Sequence, residues 1–78
     1  MEIKEKIKEV IYYEVDGLVF EDLNKAKKYN ELISKYNFNE KQKRRIELGI
    51  NINLDIDLYA KPEFTHWQMD EIIKGLRQ

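Results

Sequence analysis

The sequence predicts an α+β fold in which an N-terminal β-hairpin is followed by helices. Three observations lead to this class: a run of β-branched and aromatic residues ending at Asp16-Gly17, a stretch with apolar residues at three- and four-residue steps, and a 26-residue repeat. The predicted elements are a hairpin over residues about 7–15 and 18–20, a helix over about 22–36, and two helical repeat units over about 40–52, 56–60 and 66–76.

The hairpin is predicted from its turn. Both central positions of a type I′ turn need a positive φ, which Gly adopts freely and Asp tolerates, so Asp16-Gly17 fits such a turn. The first strand, 7–15, includes Val10, Tyr12 and Val15, and the second is the short segment 18–20. Residues 2–6 either extend the first strand or fray.

The helix over 22–36 is predicted from one apolar face. Its apolar residues recur at helical spacing, and the charged residues expected to face water are Lys25, Lys28, Glu31 and Lys35. We expect this helix to pack on one face of the hairpin. The apolar positions are Leu23, Ala26, Tyr29, Ile33 and Tyr36.

Two copies of one structural unit are predicted in residues 38–78. A shift of 26 residues aligns Phe38 with Phe64, Gln42 with Gln68, Ile46 with Ile72, Gly49 with Gly75 and Ile50 with Leu76. Each copy also contains a capping box, in which an N-cap side chain and a Gln three residues later bond to each other's backbone. The boxes are Asn39 with Gln42 and Thr65 with Gln68.

Residues 50–58 have two interpretations. Their strict alternation of apolar and polar residues is typical of a half-buried strand. In the helical interpretation, which we favour, the preceding helix ends at about Ile52 with Asn53 left-handed and Leu54 making an apolar contact. Asp55 then caps a short helix that stops before Pro62.

Length and composition predict a single domain over 1–78, with a hairpin-helix unit at 1–37 and the repeat unit at 38–78. Domains this small gain only about 3–5 kcal/mol from one core, so homodimerisation or a larger partner would stabilise the fold. The absence of Cys excludes thiolate catalysis and disulfides, and no signal peptide or apolar span is present. We therefore expect a cytoplasmic protein without a membrane partner.

A set of short motifs lies in the C-terminal half: Gln68-Met69, Ile72, Gly75-Leu76, Leu54-Asp55-Ile56-Asp57, Tyr59-Ala60 and Pro62-Glu63-Phe64. This set resembles a short helical repeat found in phage and mobile-element proteins of low-GC bacteria. Residues 13–20, leading into Ala26 and Tyr29, resemble the hairpin-helix opening of many small phage proteins. The resemblance implies a helical C-terminal half and a bacterial host cytoplasm, and it brings no catalytic residue. Small proteins in that setting often inhibit host defence proteins, including CRISPR nucleases.

No catalytic, cofactor or metal site is predicted. His66 is the only imidazole and Ser34 the only serine, and they lie far apart in the sequence. The alternating Asn and Asp residues of 51–57 have the spacing of calcium ligands, but an EF-hand loop lacks its required Gly and final carboxylate in either register. We interpret these side chains as caps and solvated positions.

Two groups of residues are predicted partner contacts. Lys41, Lys43, Arg44 and Arg45 form a basic cluster where the helix dipole disfavours positive charge. The cluster is either an ordinary solvated face, which is the commonest explanation of such a run, or a contact for phosphates or for an acidic protein surface. Lys25, Lys27 and Lys28 would join it if the two helices packed side by side. Trp67 and Tyr59, with Phe64 and Tyr36, are either core residues or an exposed aromatic patch.

The sequence thus favours a non-enzymatic protein-interaction module, with a host protein such as a nucleoprotein nuclease as the expected partner. A small nucleic-acid-binding or regulatory protein using residues 41–45 is the alternative. In one version of it, residues 56–60 and 66–76 form a helix-turn-helix, although Asp70 and Glu71 would repel phosphates. A hydrolase is a distant third.

Overall fold

The computed structural model describes residues 2–7 and 11–78. Its α+β fold, a three-stranded antiparallel sheet followed by three α-helices, confirms the predicted class. The strands are β1 (Lys4–Ile7), β2 (Ile11–Val15) and β3 (Leu18–Phe20). The α-helices are α1 (Leu23–Lys35), α2 (Glu40–Asn51) and α3 (His66–Leu76), with a short 3-10 helix at Ile56–Leu58.

The sheet has one strand more than predicted. Instead of a single strand over 7–15, Ile7 ends β1 and pairs with Ile11 of β2, and Lys4 pairs with Glu14. Residues 8–10, including Val10 of the predicted strand, lie outside the described residues. The apolar pattern concealed β1 because Glu5, opposite Tyr13, interrupts the face that Ile3 and Ile7 would otherwise mark. Charged residues are typical of such an edge strand.

The hairpin turn forms as its residues predict. Asp16 and Gly17 have φ values of 51° and 80°, and Val15 pairs with Leu18 across the turn. The buried side chains of Val15 and Phe20 join the core, and α1 packs against β2 and β3. Asp22 caps α1, since its carboxylate accepts the Asn24 N–H at 2.7 Å.

The helices pack in chain order. Helix α1 lies against the sheet and α2, and α2 in turn packs against α3 and the 3-10 helix. Helix α2 is therefore the central helix. The buried apolar core runs from the sheet to α3 and consists of Val15, Phe20, Ala26, Tyr29, Leu32, Phe38, Ile46, Ile50, Ile56, Tyr59, Ala60, Met69 and Ile73.

The helical interpretation of residues 50–58 is confirmed. Asn53 is left-handed, with φ 61°, and it ends α2. The Leu54 N–H donates to Gly49 O at 2.8 Å and the Asn53 N–H to Ile50 O at 3.2 Å, which is the Schellman arrangement. Two details differ from the prediction: the next helix is a 3-10 turn of three residues, and the Asp55 side chain makes no capping hydrogen bond.

Both predicted capping boxes are present, so α2 and α3 begin in the same way. Their surroundings differ, however. Gln42 and Gly49 are buried, whereas their counterparts Gln68 and Gly75 are exposed. The two copies thus share local structure, but only α2 has neighbours on both sides.

Candidate functional site

The predicted basic cluster is divided by ion pairs. Lys43 Nζ lies 2.8 Å from Asp16 Oδ2 in the hairpin turn, so this charge ties α2 to the sheet. Arg45 Nε lies 3.0 Å from Asp70 Oδ1 and ties α2 to α3. Lys41 and Arg44 are exposed, and neither forms an ion pair with any residue in 2–7 or 11–78. Two of the four positive charges are therefore available to a partner.

The lysines of α1 do not extend this cluster. Lys25 Nζ donates to Asn51 O at 3.2 Å, and Lys28 pairs with Asp57 at 3.1 Å. The start of α1 thus lies beside the end of α2, at the opposite end from Lys41. The prediction that these lysines join the basic cluster is wrong, because the two helices run antiparallel.

The predicted aromatic contacts fall into two environments. Tyr59 is fully buried, and its hydroxyl donates to Arg45 O at 2.7 Å. Tyr36 and Phe64 are half-buried and pack against the core. Trp67, in contrast, is 69% exposed and stacks beside His66 with ring centroids 4.0 Å apart. Tyr59 therefore belongs to the core, and Trp67 is the aromatic residue of this group that is exposed to solvent.

The exposure of Trp67 is exceptional in this chain. All nine aromatic residues lie within the described segments, and the other eight are buried or half-buried. Trp67 sits in the first turn of α3, whose cap and buried Met69 and Ile73 fix the helix in place. A large apolar ring thus projects from a rigid support, which is the usual form of an interface anchor.

The ion pair between Arg45 and Asp70 places Trp67 beside a stripe of α2. Asp70 follows Trp67 by three residues, so the two are neighbours on the surface of α3. On α2, Lys41, Arg45 and Leu48 lie at helical spacing along one side, and Ile52, the C-cap of α2, continues the same spacing. Arg44, which neighbours both Lys41 and Leu48, borders the stripe. We name the surface formed by Lys41, Arg44, Arg45, Leu48, Ile52 and Trp67 the α2–α3 face.

Leu48 and Ile52 were missed as surface residues by the sequence analysis. They are 41% and 38% exposed, although they are aliphatic. The available signal was their spacing of seven and eleven residues from Lys41, which puts apolar residues on the same side as the charges. Their exposure depends on where α1 and α3 pack, and that is a tertiary property.

Three arrangements that the sequence analysis disfavoured concern a Ser34–His66 pair, a metal site and a helix-turn-helix. Ser34 lies on α1 and His66 on α3, helices that pack on different sides of α2. Among residues 2–7 and 11–78, no group of three or more His, Cys, Asp or Glu side chains could hold a metal ion. The proposed helix-turn-helix is also wrong, because its first helix is only the 3-10 turn Ile56–Leu58.

A groove of about 360 Å³ lies between the start of α1 and the end of α2. Ile50, Leu54 and Ile56 line it together with polar residues from α1 and the 3-10 helix. Two of those polar side chains, Lys28 and Asp57, bind each other, and Lys25 binds the end of α2. These contacts already satisfy the cations of the groove.

Burial changes the pKa of three groups near α2. It raises the pKa of Tyr59 to about 12, although the nearby Gly49 backbone N–H opposes the change. The pKa of Tyr29 is raised further, by burial and by the negative charges of Asp16, Glu47 and Glu40. Burial also raises the pKa of the Glu47 carboxyl, against the opposing effect of Arg44. Both tyrosines are therefore neutral at physiological pH.

Comparisons with protein-family models, curated proteins and solved structures found no match to this chain. Within the described part of the chain, no helix combines the length and apolar character needed to cross a membrane.

Proposed function

We propose that this chain is a non-enzymatic protein-interaction module that binds through Trp67 and the α2–α3 face. The observation that carries the proposal is the 69% exposure of Trp67 on a capped and anchored helix. Exposed Trp is unfavourable in water but contributes strongly when a partner buries it. The neighbouring Leu48 and Ile52 would extend the apolar contact.

The proposed partner is a host defence protein of a bacterium, such as a CRISPR nuclease, which the module would inhibit. This setting follows from the resemblance to phage and mobile-element proteins. The contacts described above are compatible with binding, and the identity of the target rests on the resemblance alone.

The test is capture from a nuclease-treated lysate of a bacterium with active CRISPR systems. Tagged wild-type protein, Trp67→Ala and a control, Leu58→Ala, would be compared, and bound proteins identified by mass spectrometry. Leu58 is 52% exposed and lies on the 3-10 helix, whose Asp57 pairs with Lys28 of α1 rather than with a residue of the α2–α3 face. Circular dichroism would verify that all three proteins fold.

We expect a defence protein to be retained at stoichiometric level by wild type and Leu58→Ala and to be lost with Trp67→Ala. Truncation of a central Trp anchor typically costs about 2 kcal/mol or more of binding free energy, or about thirtyfold in affinity. Capture that disappears after nuclease treatment would contradict the proposal and favour nucleic-acid binding. Equal loss with both variants would exclude Trp67 as the anchor.

A further inference from the structure

We propose that the α2–α3 face recognises an acidic segment of its protein partner that also presents an apolar side. This inference rests on the proposed function and adds the chemistry of the partner. In such a complex, Trp67, Leu48 and Ile52 contact the apolar side chains, and Lys41 and Arg44 contact the carboxylates.

The charge of the face supports an acidic partner. Arg45 is neutralised by Asp70, and on the adjoining surface of α3 Lys74 lies 3.4 Å from Glu71. Lys41 and Arg44 then remain exposed and form no ion pair with any residue in 2–7 or 11–78, so they are the two cations of the face that can meet a partner's carboxylates, in a chain whose net charge is −1. Complementary negative charge on a partner would increase the association rate and orient the complex.

The apolar content of the face favours a protein over a nucleic acid. Leu48 on α2 and Ile52 at its C-cap are four residues apart, and both are exposed. Aliphatic side chains match the apolar face of a partner helix lying along two neighbouring helices. Nucleic acid would instead meet only two cations without an ion pair on this face, Lys41 and Arg44, whereas nucleic-acid binding relies on several contacts between cations and phosphates.

Trp67 is itself the reporter for the test, because it is the only Trp in the chain. Its fluorescence would be followed during titration of the full chain with three probes. These are a synthetic helical peptide with leucine on one face and glutamate elsewhere, the same peptide with lysine replacing glutamate, and oligothymidylate. Each titration would be repeated at low and high salt.

The variants are Arg44→Glu and Arg44→Gln, with Lys27→Glu as the control. Lys27 is an exposed cation in the middle of α1, so its reversal changes net charge as Arg44→Glu does but leaves the α2–α3 face intact. Arg44→Gln removes the positive charge without adding a new carboxylate near Glu47. It therefore tests the role of the charge even if Arg44→Glu destabilises α2.

We expect saturable binding of the acidic peptide, weakened about tenfold by Arg44→Glu at low salt and less at high salt. Arg44→Gln should have a smaller effect in the same direction, and Lys27→Glu and the lysine peptide should show no specific effect. No response to the acidic peptide, equal binding by all variants, or a response to oligothymidylate alone would overturn the inference. Capture of a defence protein that depends on Trp67 but not on Arg44 would leave the proposed function intact.

Discussion

At the scale of single residues, Gly49 shows how closely the core of this protein is packed. A Cβ atom at Gly49 would collide with the Tyr59 hydroxyl and with Ile56, whereas at Gly75 it would meet nothing within 4 Å. The Tyr59 ring therefore reaches the backbone of α2 through a notch that only Gly leaves open, and there its hydroxyl bonds to Arg45 O.

Gly49→Ala is expected to destabilise the protein by about 2 kcal/mol, because overpacking and loss of the tyrosine hydrogen bond exceed the gain in helix propensity. Gly75→Ala, the matched change one repeat later, should stabilise by up to about 0.5 kcal/mol. Urea unfolding of both variants measures the difference. Similar effects at the two positions would show that Tyr59 does not occupy the notch.

Tyr59 should also make the free energy of unfolding depend on pH in the alkaline range. Its pKa rises from 10.0 in the unfolded chain to about 12 in the folded protein. The folded state thus favours the neutral form, and this contribution is complete below pH 10 and is lost as the pH rises from 10 through 12. Tyr59→Phe should cost about 1 kcal/mol at neutral pH and flatten the decline above pH 10.

Chemical unfolding at a series of pH values between neutrality and 12 measures this slope. Tyr29 contributes a decline of the same sign, since its pKa is also raised, so Tyr59→Phe reduces the slope without abolishing it. An unchanged slope in the variant would mean that the Tyr59 hydroxyl ionises as easily in the folded protein as in the unfolded chain.

At the scale of elements, Gln42 connects α2 to the segment that leads into α3. In the sequence, these two helices are related only as copies of the 26-residue repeat. The Gln42 Oε1 accepts the Asn39 N–H at 2.9 Å and completes the cap of α2. Its Nε2 donates to Pro62 O at 3.1 Å and to Phe64 O at 2.7 Å in the segment that leads into α3. Gln68 has the same capping role in α3, but its side chain is exposed.

We expect Gln42→Ala to destabilise the protein by about 2–3 kcal/mol, because it removes a buried side chain and leaves two partly buried carbonyls and a cap N–H without partners. Gln68→Ala should cost only about 0.5–1 kcal/mol, the usual value of an exposed cap. Thermal and urea unfolding of the pair, followed by circular dichroism, provide the comparison. If both variants lost the same stability, the bonds from Gln42 to the α3 segment would be unimportant.

At the scale of the whole molecule, β1 and β3 are the edges of the described sheet, and an exposed edge could pair with a second copy. In an antiparallel dimer through β1, a two-fold axis perpendicular to the sheet relates the two copies. It places residues opposite each other whose side chains lie on the same face of the sheet. Centred on Glu5, it places Glu5 opposite Glu5 and Lys4 opposite Lys6; centred on Lys6, it opposes two lysines. These like-charge pairs oppose dimerisation through β1.

We therefore expect the wild-type protein not to associate through β1. The combined variant Lys4→Thr, Glu5→Val and Lys6→Thr, which removes the like charges and raises β propensity, should self-associate. Sedimentation velocity over a range of concentrations would detect it. A wild-type dimer that the triple substitution leaves unchanged would place the contact elsewhere, and a dimer lost on Trp67→Ala would identify the α2–α3 face.

Much of the fold could be predicted because its signals are local. The turn at Asp16-Gly17, both capping boxes and the left-handed end of α2 at Asn53 depend on bonds between residues at most five positions apart. Such bonds follow from the conformational limits and side chains of the residues themselves. The one strand that escaped prediction, β1, is defined by pairing with β2 rather than by its own apolar pattern.

The candidate site could be predicted only in part. The sequence identified Trp67, Lys41 and Arg44 as potential contacts, but it did not separate them from Lys43, Arg45 and Tyr59. That separation depends on contacts between distant residues: Lys43 with Asp16, Arg45 with Asp70, and the Tyr59 hydroxyl with Arg45 O. Local residue preferences carry no information on these partners.

The sequence by itself determined where the predicted turn lies, how α2 and α3 begin and how α2 ends, because those features depend on short-range hydrogen bonds. Tertiary structure alone decided which copy of the repeat is buried, which charges are neutralised and which aromatic ring meets solvent. The reason is that α2 packs between α1 and α3, whereas α3 has α2 as its main helical neighbour. Equivalent residues such as Gln42 and Gln68 therefore occupy different environments.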